Sequence, residues 1–135
     1  MPPKLYDLTT LQREANRFFG YTAQETLQEL QELYEDKLVT YPRTDSQYIT
    51  EDMEQSTMEL LEVLPEILPF LEGNMGYDVG RIINNDKVSD HHALLPTKES
   101  VKKGFSQLTE KQRNLYCMIG QRLAQAVSKE CTYEE

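Results

Sequence analysis

The sequence predicts a mainly α-helical fold with a few short strands. Three observations carry this. Apolar residues recur at helical spacing in several long segments, two threonine-led capping boxes open helices, and strand-favouring residues cluster only around Tyr41. No internal repeat or low-complexity linker divides the chain, so residues 1–135 are expected to form one domain.

The first helix is expected over Leu8–Phe19. Asp7 or Thr9 caps it, Leu11, Ala15, Phe18 and Phe19 share a face, and Gly20 ends it. Thr22-Ala23-Gln24-Glu25 is a capping box, in which hydroxyl and carboxylate satisfy free amides at a helix start. The helix it opens runs to about Asp36, with Leu27, Leu30, Leu33 and Tyr34 at helical spacing. Residues 37–41 favour an extended strand, and Pro42 biases Tyr41 away from helical backbone. Residues 43–46 are turn-like.

Ser46 or Thr50 starts a third helix with Met53, Thr57, Leu60, Leu61 and Leu64 inward, and Pro65 begins a short one to Leu71. The glycines and paired asparagines of residues 73–85 predict loop or short strand. Residues 89–97 form a compact His-bearing stretch closed by Pro96. Thr109-Glu110-Lys111-Gln112 is the second capping box. It opens a last helix to about Ser128, with Leu115, Ile119, Leu123, Ala126 and Val127 on its core side.

The bulk numbers suit a soluble globular domain, with 39% hydrophobic and 27% charged residues. No apolar run approaches the roughly 20 residues that cross a bilayer, and Met1-Pro2-Pro3-Lys4 lacks the apolar stretch of a secretory signal. Cys117 and Cys131 belong to no CxxC pattern, which suits a reducing compartment. A cytoplasmic protein without membrane partners is the expectation. The net charge of -9 is unusual for a nucleic-acid protein. Its location matters more than its size: residues 49–72 hold seven acids and no base, so one solvated helical face accounts for most of it. Alone, such a chain should bind DNA weakly, and a basic neighbouring domain would supply affinity.

Tyr41 and Arg43 hold the most suggestive chemistry. A phenol with a pKa of about 10 is a poor nucleophile without help. Two residues apart in extended backbone, the two side chains fall on one side. A guanidinium there can stabilise a phenolate and grip a phosphate. On local grounds alone, the same residues read more readily as a strand-end tyrosine before proline and a surface Arg43–Asp45 pair. His91 and His92 are adjacent and point apart, so a shared metal is not expected. A contact from one of them to phosphate or carboxylate competes with a buried structural role. No Gly-rich phosphate loop, GxSxG elbow or HExxH occurs.

The segment Leu38-Val39-Thr40-Tyr41-Pro42-Arg43-Thr44-Asp45-Ser46 resembles the active-site signature of type IA DNA topoisomerases, and Pro42 resembles the topoisomerase III branch. Residues 2–12, the helix from Ala23 to Tyr34, and Ser89-Asp90-His91-His92-Ala93-Leu94-Leu95-Pro96-Thr97 resemble further segments of that family in the same order. The resemblance implies that Tyr41 attacks single-stranded DNA and holds its 5′ phosphate. Arg43 would position the scissile phosphate, and His91 rather than His92 would contact phosphate or the catalytic network. Thr44, Asp45 and Ser46 are implied as DNA contacts, with Asp45 able to orient Arg43 or His91.

The implied fold is a winged-helix, catabolite-activator-like helical domain, the tyrosine-bearing gate of a longer, nucleoid-associated bacterial enzyme. Magnesium is implied as that enzyme's cofactor, held by a Glu and DxD cluster in a separate Toprim domain. No such unit can be fitted to this sequence, so no metal ligands are expected within it. An excised domain would be inactive alone. Two other readings compete. One is a non-enzymatic helix-turn-helix module for DNA or protein, against which the second helix offers no Lys or Arg before Lys37. The other is an acidic protein-interaction domain centred on residues 49–72.

Overall fold

The structure, a computed structural model, describes residues 3–71 and 76–128. It is helical, as the periodicity predicts: α1 (Leu8–Phe19), α2 (Ala23–Glu35), α3 (Glu54–Val63), α4 (Lys98–Lys103) and α5 (Glu110–Val127). Asp7, not Thr9, caps α1, its carboxylate accepting the Thr10 N–H at 2.8 Å, and Gly20 closes the helix at φ 77°. Leu11 and Ala15 are buried as expected, but Phe18 and Phe19 are 59% and 42% exposed. Helical spacing says which residues share a face and not how far the neighbouring element covers it. Both rings instead find local partners, Phe19 stacking on Tyr21 and Phe18 lying beneath Arg17.

Both capping boxes form, Thr22 with Glu25 and Thr109 with Gln112. Helix α2 ends where expected, with Asp36 as its cap, but through a geometry the sequence did not indicate. Lys37 takes φ 66°, the Lys37 N–H donates to the Tyr34 carbonyl, and the Leu38 N–H reaches back to Leu33 at 2.9 Å. This is a Schellman ending with lysine where glycine is usual. It turns the chain sharply into residues 38–46.

Those residues are extended, but no regular strand forms among the described residues. Isolated antiparallel bridges join Val39 to Pro96 and Tyr6 to Leu94, and a parallel one joins Ile49 to Ile83. The expected strand is limited by its partner, since Pro96 has no N–H to continue a ladder. The short helix expected from Pro65 is likewise replaced by 3-10 turns at Leu64–Glu66 and Pro69–Leu71. Pro69 lacks the N–H that a helix would aim at the Pro65 carbonyl. Helix α3 starts later than expected, behind a 3-10 turn at Glu51–Met53, while Thr57, Leu60, Leu61 and Leu64 do face inward. Of the stretch expected as loop, residues 76–85 contain a 3-10 turn at Val79–Ile82, and residues 72–75 lie outside the described residues. Helix α4, capped by Thr97, is too short at six residues to show a periodicity.

Helix α5 is the central element. It buries Leu115, Tyr116, Ile119, Leu123, Ala126 and Val127, more than one face of a helix. A Cβ at Gly120 would run into Leu68, so the glycine lets the 3-10 region approach closely. At one end, Tyr6, Glu14 and Arg122 tie the chain's first segment to α1 and α5. The Tyr6 hydroxyl donates to Glu14 at 2.6 Å, Arg122 pairs with the same carboxylate at 3.1 Å, and the guanidinium sits 4.5 Å from the Tyr6 ring centre. Burial, then the neighbouring carboxylate, push the Tyr6 phenol well above its usual range, which keeps it a donor. Cys117 is half-buried, and Cys131 lies outside the described residues.

The left-handed Lys37 generates a prediction. A β-carbon in that conformation costs about 1–2 kcal/mol, partly offset in a glycine variant by a more flexible unfolded chain. Lys37→Gly should therefore raise unfolding free energy by about 0.5–1 kcal/mol, read from urea denaturation.

Candidate active site

Tyr41 lies where two extended segments cross. On one side of the crossing the Thr40 N–H donates to Leu95 at 2.9 Å and the Thr97 N–H donates to Leu38 at 3.1 Å. The Thr40 hydroxyl accepts the Leu95 N–H, also at 2.9 Å. Further along, the Ala93 N–H donates to Tyr48 and the Leu94 N–H to Tyr6. These bonds bring residues 38–48 and 91–97 side by side although residues 49–90 separate them in sequence. The result is that the His91 ring stands 4.5 Å from the Tyr41 ring, tilted by 36°. Tyr34, from the last turn of α2, meets Tyr41 edge-on at 5.2 Å. Tyr41 is thus held between two rings while remaining half-exposed.

Arg43 is presented by a tight turn. The Thr44 N–H donates to the Pro42 carbonyl at 2.9 Å, a three-residue turn with Arg43 at its apex. Arg43 is exposed, and neither it nor Asp45 makes an ion pair among the described residues. The surface pair of Arg43 with Asp45 is therefore not formed, and Asp45 touches neither Arg43 nor His91 through a hydrogen bond. The guanidinium is available to an incoming anion.

Thr44 and Ser46, expected as DNA contacts, are only 6% and 3% exposed. Their hydroxyls are taken up internally. Thr44 Oγ1 donates to the His91 carbonyl at 3.3 Å and accepts the Ser46 N–H at 3.1 Å. Ser46 Oγ donates to the Lys87 carbonyl at 2.8 Å and accepts the Tyr48 N–H at 3.1 Å. In this conformation they build the turn and tie it to the histidine segment, leaving Asp45 as the exposed member of the three. The two histidines diverge, as adjacent residues must. His91 is exposed against Tyr41, whereas His92 Nδ1 lies 2.7 Å from the Ala93 carbonyl.

Tyr41 and Arg43 open onto a cleft of about 460 Å³ whose opposite wall is α2, contributing Gln24, Leu27, Gln28, Gln31 and Glu32. Sequence reasoning missed this wall and the Tyr34 contact. The glutamines recur at helical spacing, which was the available signal, but nothing local says that this face of α2 looks at Tyr41. No group of three His, Cys, Asp or Glu able to hold a metal occurs among the described residues.

An exposed Arg43 thus stands beside a half-exposed Tyr41 packed between two rings. The family model described as DNA topoisomerase matches residues 1–135. The chain belongs to the DNA topoisomerase family. Among curated relatives it is 41% identical to DNA topoisomerase 3 of Bacillus subtilis, over 98% of this chain and 19% of that protein. To DNA topoisomerase 3 of Shouchella clausii it is 44% identical, over 90% of this chain and 17% of the relative. The full-length topoisomerase I structure from Thermotoga maritima superposes with a TM-score of 0.63 at 26% identity, over 94% of this chain and 21% of that one. The chain thus spans about a fifth of the length of these topoisomerases. No helix among the described residues is long and apolar enough to cross a membrane.

Thr44 can be tested apart from any reaction. Thr44→Val keeps the shape and leaves the buried Ser46 N–H and His91 carbonyl without that partner, a loss of about 1–3 kcal/mol per orphaned group at most. Unfolding free energy should drop by about 1–2 kcal/mol, and the Tyr41–His91 ring contact should loosen, visible as a changed ring-current shift in NMR spectra.

Proposed function

We propose that this chain is the tyrosine-bearing gate domain of a type IA DNA topoisomerase, cleaving and resealing one DNA strand through Tyr41. The observation that carries the reading is the half-exposed Tyr41, held between Tyr34 and His91 with an unpaired Arg43 at the apex of the adjoining turn. In the proposed step the Tyr41 oxygen attacks a backbone phosphorus. A tyrosine–phosphate bond forms, the bond from phosphorus to the 3′ oxygen breaks, and the proton lost by the phenol is balanced by one gained at the released 3′ hydroxyl. The 5′-phosphotyrosine conserves the ester, so the 3′ hydroxyl can attack it in reverse without ATP.

Arg43 would grip non-bridging phosphate oxygens and stabilise the charge that builds there. His91 would add a ring N–H to the same phosphate and keep the phenol oriented by ring contact. Asp45, exposed beside them, is proposed as a DNA contact. Thr44 and Ser46 would act through the turn they hold. The described residues do not fit a metal site, so none of these steps is routed through one. Magnesium and its Toprim ligands are proposed for the remainder of the longer enzyme, and single-stranded DNA for its substrate.

Two outcomes test this. In the full-length enzyme, Tyr41→Phe should abolish the covalent protein–DNA adduct trapped by denaturant, and Arg43→Ala should reduce its rate of formation by about a hundredfold or more. An adduct persisting in Tyr41→Phe would place the nucleophile elsewhere. The 135-residue chain by itself should leave supercoiled plasmid unrelaxed. Magnesium-dependent relaxation by the purified chain would show that it needs no separate acidic domain.

A further inference from the structure

Helix α2 is striped in three. Thr26, Leu30 and Leu33 are buried and form the stripe that faces the core. Glu25, Glu29 and Glu32 follow one position earlier and are drawn toward α5. Lys111 pairs with Glu25 at 3.0 Å, and the Gln112 side-chain amide donates to Glu29 at 3.0 Å and to Glu32 at 2.9 Å. The third stripe is Gln24, Gln28 and Gln31, which with Leu27 walls the cleft opposite Tyr41 and Arg43. The helix thereby turns its amides toward the candidate cleavage site, while Glu25 and Glu29 are engaged away from it.

That sorting has an electrostatic consequence. In a chain of net charge -9, carboxylates lining this wall would repel a phosphate approaching Arg43. Uncharged amides do not, and they offer donor and acceptor together, the pairing that reads the edges of bases. Only Glu32 reaches the cleft among the three acids, and its carboxylate already accepts from Gln112. A flush protein contact would be served as well by apolar residues, yet Leu27 is the one apolar side chain that α2 contributes to the wall.

We propose that the Gln24–Gln28–Gln31 stripe is a base-reading surface, which hydrogen-bonds unpaired bases flanking the phosphate attacked by Tyr41 and so sets cleavage-site preference. This rests on the tyrosine-nucleophile reading. A strand whose phosphate meets Arg43 has its adjacent bases within the same cleft, and Leu27 supplies an apolar surface for a base face between the amides.

The test uses the full-length enzyme with single-stranded oligonucleotides randomised around a central position. Tyr41 adducts are trapped by denaturant and the attached sequences read. With Gln24→Ala combined with Gln28→Ala, base preference at one or more positions should fall by about fivefold or more, the discrimination a single amide–base pairing supplies. Gln28→Asn in place of Gln28→Ala should restore part of it, which a loss of fold would not do. A sequence distribution unchanged from wild type overturns the proposal. That holds too if total adduct falls uniformly, the outcome expected if the stripe docks another protein domain. Absence of any Tyr41 adduct from the wild-type enzyme would overturn the nucleophile reading itself, and this one with it.

Discussion

The structure depends on a very small piece of backbone pairing. Residues 38–40 and 95–97 exchange two main-chain hydrogen bonds and one through the Thr40 hydroxyl, and this crossing sets the tyrosine segment beside the histidine segment, where Ala93–Tyr48 and Thr44–His91 bonds extend the contact. Three bonds of about 1 kcal/mol each would not order two loops unaided. They hold because Leu38, Val39, Leu94 and Leu95 are almost fully buried around them. Water that would otherwise compete for those groups is excluded by the same side chains that α2 and α5 enclose. The crossing is short because it is bounded by prolines, and its shortness leaves Tyr41 free just beyond its end.

Much of this was open to sequence reasoning and part was not, for identifiable reasons. Both capping boxes and the closing Gly20 are local devices, so their residues announced them. The buried stripe of α5 followed from periodicity in the same way, and that of α2 did so at Leu30 and Leu33 but not at Thr26 or Leu27. Tyr34, Phe18 and Phe19 had the right spacing and the wrong environment, because exposure depends on a neighbouring element that no local pattern encodes. The left-handed Lys37 carried no signal, since lysine is not the residue that this geometry favours. At the site, spacing made Tyr41 and Arg43 candidates only, and resemblance singled out them and His91. The burial of Thr44 and Ser46 and the glutamine wall needed the fold, because each arises from contacts between distant segments.

The acidity of the chain is also less contradictory than its sum suggests. Glu51, Asp52, Glu54, Glu62 and Glu66 are exposed around α3, and Glu59 is paired with Lys98 at 2.6 Å. On α2, Glu25, Glu29 and Glu32 are engaged by α5. A screened interaction in water fades over about 8 Å at physiological salt, so a carboxylate's direction matters more to a phosphate than the total charge does. The region around Arg43 is therefore less hostile to an anion than a net charge of -9 implies.

A division of labour follows from the exposure of the site's members. Tyr41, Arg43, Asp45 and His91 reach solvent, while Thr44, Ser46 and Pro42 between them are buried. Alternating outward and inward residues are the ordinary habit of extended backbone. Here the habit places hydrogen-bonded anchors between the groups that face the cleft, so each exposed side chain is flanked by fixed backbone. A site built this way can have mobile side-chain tips and still present them from defined positions. It also leaves one wall open. Any further group that approaches Tyr41 and Arg43 does so from the cleft side, opposite the buried anchors.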